Sequence, residues 1–108
     1  MSKIQFEANG KQYTLEFDRQ TAAVAEKRYG ISLGEVLDGK LTYLPLLFNA
    51  AFLKHHPKER QSVIDALFDG MSDKQGLLEA LLGMYAETVA TLLEEPEDEG
   101  KAISWAIE

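Results

Sequence analysis

Apolar and polar residues alternate in two short runs on either side of Asn9-Gly10. An Asn-Gly pair is preferred in two-residue hairpin turns because both positions require a positive φ. The alternation therefore predicts a β-hairpin over residues 3–17, in which the turn sets Phe6 opposite Tyr13. One face of this hairpin is apolar. Since an isolated hairpin is only marginally stable in water, we expect that face to pack on the rest of the chain.

The spacing of apolar residues changes from two to about 3.6 after Asp18, which indicates helices. Asp18 is a candidate N-cap and Gly30 a candidate C-terminal stop for the first helix. Ser32 and Glu35 have the spacing of a capping box at the start of the second helix. The predicted helices span residues 18–29, 32–39, 42–56 and 57–70, with a last helix from 72 or 73 to just before 96.

These elements predict an α+β fold, with the N-terminal β-hairpin packed on a bundle of four to five α-helices. A chain of 108 residues is the size of a single domain. We expect one globular domain over residues 1–93, with the hairpin at 3–17 and the helices at 19–93. Residues 94–108 are then an acidic tether with an apolar end.

The predicted helix at 42–56 is apolar around most of its circumference. Such a helix is either the central helix of its own core or one that buries a second face against another chain. We favour the central position and keep the second interpretation open. In the second case Leu46, Phe52 and Leu53 are candidate partner or subunit contacts, and the protein forms homo-oligomers.

The last helix carries two adjacent apolar stripes. One consists of Leu78, Leu82, Tyr85, Val89 and Leu92, and the other of Leu77, Leu81 and Met84. Stripes of this kind usually pack within the same domain, and that is our interpretation. Their combined width leaves room for a neighbouring protomer.

Five of the six residues 94–99 are acidic, and the apolar residues Ile103, Trp105 and Ile107 follow at every second position. In an extended strand these three side chains lie on one face, which suits docking to the edge of a sheet. Two alternatives are open: Trp105 folds back on its own domain, or the segment is disordered. The three residues are therefore candidate partner or subunit contacts.

Residues for catalysis or metal binding are scarce. The chain has no cysteine and two histidines, and the adjacent His55 and His56 point about 100° apart on a helix, so they cannot converge on one metal. We interpret them as a polar helix end where imidazolium complements the helix dipole. The glycines do not match a phosphate-binding loop. The sequence thus predicts no catalytic, cofactor or metal site and no enzyme activity.

The formal net charge is -7 and the pI is about 4.8. A negative field of this kind repels phosphate backbones, so nucleic acid is not expected as a partner. The N-terminus lacks the apolar run of a signal peptide. No stretch approaches the ~20 apolar residues of a membrane span. We therefore expect no membrane association and a cytoplasmic location.

The segments "GKQYTLEFD", "LFNAAFLKHHP" and above all "MYAETVATLLEEPEDEGKAISW" resemble the tail assembly chaperones of long-tailed phages and prophages of Gram-positive bacteria. The similarity extends over residues 4–105. Its most specific part is the last helix running into the acidic tether and the tryptophan.

This resemblance implies a chaperone that binds and solubilises the aggregation-prone tape measure protein and helps recruit the tail tube protein around it. It implies the cytoplasm of the bacterial host as the location and absence from the mature virion. Some related chaperones assemble into rings or spirals, which agrees with a homo-oligomer. The alternative is a small acidic adaptor or inhibitor, encoded by a phage, that docks on a host or phage protein.

Overall fold

The computed structural model describes residues 2–107 of the chain and has an α+β fold. Within this part of the chain an antiparallel hairpin is followed by five α-helices. The elements are β1 (Ile4–Ala8), β2 (Lys11–Leu15), α1 (Arg19–Tyr29), α2 (Leu33–Leu37), α3 (Tyr43–Ala51), α4 (Gln61–Gly70) and α5 (Lys74–Ala90), with short 3-10 turns at Thr91–Leu93 and Glu99–Lys101.

The hairpin has the predicted register. Phe6 lies opposite Tyr13 and Ile4 opposite Leu15. Both turn residues have a positive φ, 54° at Asn9 and 78° at Gly10, as a two-residue hairpin turn requires. Tyr13 and Leu15 are buried and Ile4 and Phe6 half-buried, whereas Gln5 is exposed. The apolar face therefore packs on the helices, as predicted.

The first helix begins and ends where the sequence predicts. The Asp18 carboxylate accepts the Thr21 backbone N–H at 2.8 Å, and the Thr21 hydroxyl accepts the Asp18 N–H at 2.9 Å. This reciprocal pair satisfies two of the amide groups left free at a helix N-terminus. Gly30 ends α1 in the left-handed conformation, the usual role of glycine there.

The capping box predicted at Ser32 and Glu35 does not form. The Ser32 side chain makes no capping hydrogen bond to α2. The Glu35 carboxylate instead accepts a hydrogen bond from the Tyr43 hydroxyl at the start of α3 and lies 3.6 Å from Lys40. A tertiary contact has therefore replaced the local cap, and α2 is a single short turn of five residues.

The helices predicted at 42–56 and 57–70 are both shorter in the structure. α3 ends at Ala51, and Pro57 is not in the first turn of α4, which begins only at Gln61. The connection is held beside β2, because His56 contacts the Thr14 backbone and Glu59 pairs with Lys11. These tertiary contacts fix the connection in a non-helical path that the local sequence does not reveal.

Helix α3 is the central element of the core, as we favoured. It packs against α1, α4 and α5, and six of its nine residues are buried. Phe48 stacks edge-on against Phe52 and Phe68, while Phe17 does so against Tyr85 of α5. Edge-to-face pairs of this kind add to the stabilisation from apolar burial.

Helix α5 also packs in the core, as its two stripes predicted. Its buried residues are Leu77, Leu78, Leu81, Met84, Tyr85 and Thr88, whereas Leu82 and Val89 are half-buried and Leu92 is exposed. By length and composition alone, Lys74–Leu93 would be long and apolar enough to cross a membrane, which corrects our statement that no stretch approaches such a span. This is weak evidence, because a core helix of a globular protein passes the same test.

Candidate interaction surface

The outer edge of β2 is closed by the chain that follows α3. Ala8 and Lys11 flank the two-residue turn, so residues 11, 13 and 15 point their backbone groups at β1, and residues 12, 14 and 16 point theirs outward. The outward Thr14 N–H donates to Nε2 of His56 at 3.0 Å. The Glu16 N–H donates to the Ala51 carbonyl at 3.1 Å. These bonds occupy the β2 edge at Thr14 and Glu16.

The outer edge of β1 is open. By the same alternation, Gln5 and Glu7 point their N–H and C=O groups away from β2. Among residues 2–107, no backbone hydrogen bond outside the hairpin involves these two residues. A strand edge with free donors and acceptors is a template for pairing with another strand.

A groove of about 400 Å³ lies between β1 and the C-terminal end of α4. Its lining residues are Phe6, Glu7, Ala8, Asn9, Ala66, Leu67, Gly70, Met71 and Ser72. The volume is at the small end of the ~300–1,000 Å³ typical of ligand pockets. It has room for one large side chain beside the open strand.

The imidazole of His56 is a neutral hydrogen-bond acceptor. Burial lowers the pKa of His56 below its ordinary value, and electrostatic interactions with Lys11 and His55 lower it further, while Glu59 opposes them. A neutral ring leaves Nε2 free to accept the Thr14 N–H, and a charged ring does not. This corrects the expectation of an imidazolium at a helix end, since α3 ends at Ala51 and His56 contacts the hairpin instead.

Glu16 is the centre of a small charged cluster on the same side of the domain. Its carboxylate lies 2.8 Å from Nε2 of His55 and 3.2 Å from Nζ of Lys54. The hydrogen bond with His55, with a further contribution from Lys54, holds the pKa of Glu16 below its ordinary value against partial burial. The cluster links the end of β2 to the turn after α3, which is a structural role.

The C-terminal segment projects from the domain with its apolar side chains in solvent. The exposed fractions are 89% for Ile103, 81% for Trp105 and 91% for Ile107. The hydrogen bonds seen in residues 94–107 are local, such as those from Gly100 and Lys101 to Asp98. The alternative in which Trp105 folds back on its own domain is therefore not what the structure shows.

The other three candidate contact residues differ from one another. Phe52 is 1% exposed and lies in the core, so any interface formed by the folded domain leaves it out. Leu46 and Leu53 are half-buried. Leu53 lines a shallow groove beside α1 with Val24 and Lys54. Of these three residues only Leu46 lies within α3, since Phe52 and Leu53 follow its last residue, Ala51.

Among the described side chains, no group of three or more His, Asp or Glu residues lies close enough to hold a metal ion. The expectations of no metal, no cofactor and no catalysis remain predictions.

The profile of one protein family, described as "Domain of unknown function (DUF5055)", matches residues 1–108. The chain belongs to this family. No curated protein and no solved structure matches the chain. The resemblance to tail assembly chaperones accordingly stays a prediction for this DUF5055 chain.

Sequence reasoning missed one feature of this DUF5055 surface, the open edge at Gln5 and Glu7. The alternation along a two-residue hairpin already decides which residues point their backbone groups outward, so the sequence contained the information needed to find this edge. What the sequence did not show is that the chain after α3 covers β2 and leaves β1 free. It also did not identify as exposed the leucines at or after the ends of α2 and α5, namely Leu37, Leu41, Leu92 and Leu93.

Proposed function

We propose that this protein is a non-enzymatic chaperone of phage tail assembly, which binds the tape measure protein, keeps it soluble and helps recruit the tail tube protein. The observation that carries the proposal is the exposed segment with Ile103, Trp105 and Ile107 at the end of an acidic tether. The family resemblance stated above supplies the identity of the client.

A chaperone of this kind needs apolar surface that the free protein leaves open. Trp105 is a strong contact residue, because aromatic side chains supply much of the binding energy at protein interfaces. Leu92 and Leu93, in the 3-10 turn after α5, add further exposed apolar area before the tether begins. Together they offer a client several apolar contacts without any opening of the core.

The charge of the chain suits the second requirement, solubility of the complex. The net charge is -7, and five of the six residues 94–99 are acidic, a few positions before the apolar segment. Charge of one sign keeps complexes apart in solution. The tether would also let the apolar segment reach a client while the folded domain stays at a distance.

Co-expression of the tape measure protein with this chain tests the proposal. We expect the soluble fraction of the tape measure protein to rise with the full chain and to fall again with Trp105→Ala. Ser104→Ala is the matched control, since it changes a neighbouring polar residue of the same segment. A tape measure protein that is equally insoluble with and without the full chain would refute the proposal. Co-purification of an enzyme in place of the tape measure protein would favour the adaptor or inhibitor alternative.

A further inference from the structure

We propose that residues 103–107 of one copy of this chain add as a third strand to the open edge of β1 in a second copy. The site is the edge at Gln5 and Glu7 together with the groove between β1 and the end of α4. The occupant is the C-terminal segment of another identical chain. The inference goes beyond the proposed function and does not depend on the identity of a client.

The backbone groups on the two sides match. β1 offers the N–H and C=O groups of Gln5 and Glu7, which have no other hydrogen bonds within the described chain. Residues 102–107 form no helix or strand of their own, so their backbone groups are free to pair. Addition of an extended segment to a sheet edge satisfies both sets at once.

The side-chain patterns also match, because both segments alternate with a period of two. Ile4, Phe6 and Ala8 lie on the apolar face of β1, and Ile103, Trp105 and Ile107 occupy every second position of the tail. When the two five-residue segments are fully aligned, their central residues are neighbours. Trp105 then lies beside Phe6 whether the added strand runs parallel or antiparallel.

The groove supplies the space that this alignment requires. Phe6 lines it together with Leu67 of α4 and Met71 after α4. An indole ring placed beside Phe6 would contact aromatic, aliphatic and thioether groups, all of which pack well against aromatic rings. Ser104 and Ala106 would share the outer face with Gln5 and Glu7, where small or polar side chains remain in water.

A second copy is the occupant because the same chain carries both the apolar tail and the open edge of β1, and within one chain these two do not pair. The three apolar side chains of the tail are 81–91% exposed although an open edge exists on the same molecule. The described chain is elongated, 53 Å along its longest axis against 30 and 23 Å. Two copies could exchange tails to form a closed pair, and one-way docking would form an open chain of copies.

The association must overcome repulsion between copies that each carry a net charge of -7. Added salt screens such repulsion. Self-association through the tail should therefore become stronger in high salt, whereas a contact formed by opposite charges would become weaker. This salt dependence separates the proposed contact from non-specific attraction between acidic and basic regions.

Trp105 is the only tryptophan, so its fluorescence reports directly on docking. With the purified chain we expect the emission to move to shorter wavelength as concentration rises, together with an increase in mass by light scattering. Gln5→Pro should weaken the self-association that causes both changes at least about tenfold, the loss of affinity expected when one contact worth ~1.4 kcal/mol is removed. Proline at position 5 removes an outward N–H and leaves the bonds within the hairpin intact.

Gln12→Pro is the matched control. It removes an outward N–H from β2, and within the described residues that N–H has no hydrogen-bond partner. Self-association should remain as in the unmodified chain. Trp105→Ala provides a variant that cannot disturb the fold through lost core packing, since the side chain is exposed, and it should reduce the increase in mass to the same degree as Gln5→Pro.

Cross-linking tests the register and the direction of the added strand. Single introduced cysteines can be used because the chain contains no cysteine of its own. Two single variants are mixed and oxidised: Ser104→Cys with Glu7→Cys reports the antiparallel direction, and Ser104→Cys with Gln5→Cys the parallel one. Paired residues in a sheet lie close enough for a disulfide. One of these mixtures should give a covalent dimer, while Ser104→Cys with Gln12→Cys should not.

Three results would overturn the proposal. The first is emission and mass that stay constant up to about 1 mM, a range that covers weak contacts. The second is emission at short wavelength in a monomer, with an intramolecular cross-link in a chain that carries both Ser104→Cys and Glu7→Cys or both Ser104→Cys and Gln5→Cys, which places the tail in the groove of its own chain. The third is association that Gln5→Pro leaves unchanged, which places the tail elsewhere. None of these involves the tape measure protein, so failure here is distinct from failure of the proposed chaperone function.

Discussion

At the scale of single residues, His56 connects the folding of the helices to the hairpin. Its neutral ring accepts the Thr14 N–H at 3.0 Å and stacks at a tilt against Tyr13 and Phe52. The groups that face it are Lys11, His55 and Glu59. The hydrogen bond contributes about 0.5–1.5 kcal/mol, the usual net value for such a bond, and it exists only while the ring is uncharged.

The free energy of unfolding should therefore fall as pH drops from about 7.5 to about 5.5. The pKa of His56 is lowered in the folded protein, so near its ordinary value of about 6.5 the unfolded chain binds the proton more readily. The contribution of the His56 hydrogen bond to the free energy of unfolding is fully present above that pH and is lost as the pH falls further. The carboxyl groups with lowered pKa values, Glu16 among them, affect stability only at more acidic pH, below about 4.5.

Urea unfolding at the two pH values measures this effect. His56→Gln keeps an oxygen acceptor for the Thr14 N–H but does not titrate, so the difference between the two pH values should shrink. His55→Gln is the control and should leave most of the difference in place. If His56→Gln and the unmodified chain respond to pH equally, His56 is not the group responsible.

At the scale of elements, the sequence patterns predicted which helices and strands form, but not all of their boundaries. The hairpin register, the Asp18 cap and the Gly30 stop are all local features, and all are confirmed. The end of α3 and the start of α4 differ from the prediction, because His56 and Glu59 bind the hairpin across more than 40 residues of chain. Local propensity carries no information about such contacts, and the connection at 52–60 could not be predicted for that reason.

Two glycines in α5 give a matched test of local packing. A Cβ at Gly83 would meet nothing within 4 Å, whereas a Cβ at Gly76 would lie 2.9 Å from Cγ of Asp73, the residue that caps the helix. Gly83→Ala should stabilise the folded chain by roughly 0.5–1 kcal/mol, since alanine is the better helix former.

Gly76→Ala should lose that gain, because the Asp73 side chain must leave its hydrogen bond to the Gly76 N–H at 3.1 Å. Loss of a cap costs about 0.5–2 kcal/mol. Thermal unfolding of the two variants side by side measures the difference. A Gly83→Ala variant that is less stable than the unmodified chain would mean that another molecule contacts α5 at Gly83 in solution.

At the scale of the whole molecule, the hydrogen bonds described for residues 94–107 are local. The last strong links to the domain are at Thr91, whose side-chain oxygen and backbone carbonyl accept hydrogen bonds from Arg19 at 3.1 and 2.9 Å. The sequence predicted a division between domain and tail from the sharp change in charge and composition at residue 94, and it left open whether Trp105 folds back on the domain. It could not predict which sheet edge is free, since that depends on the path of the chain after α3.

Deletion of residues 101–108 should leave the thermal midpoint within about 2 °C of the full chain, because the described part of this segment contributes no core side chain. Deletion from residue 91 onward is the contrasting variant. It removes both hydrogen bonds with Arg19 and should lower the midpoint by several degrees, at about 4–8 °C for each kcal/mol lost. Calorimetry of both shortened chains measures this. A large drop on removal of 101–108 alone would place Trp105 in the core.

The 3-10 turn at Glu99–Lys101 has a consequence for the survival of the protein. Lys101 is exposed just before the apolar segment, in a stretch whose hydrogen bonds are local, and such sites are preferred by proteases. A single cut after this residue would remove the tryptophan and leave the folded domain whole. The resistance of that bond to trypsin therefore measures the fraction of chains whose tail is covered. A cell that degrades the uncovered form would retain mainly the chains whose tails are bound.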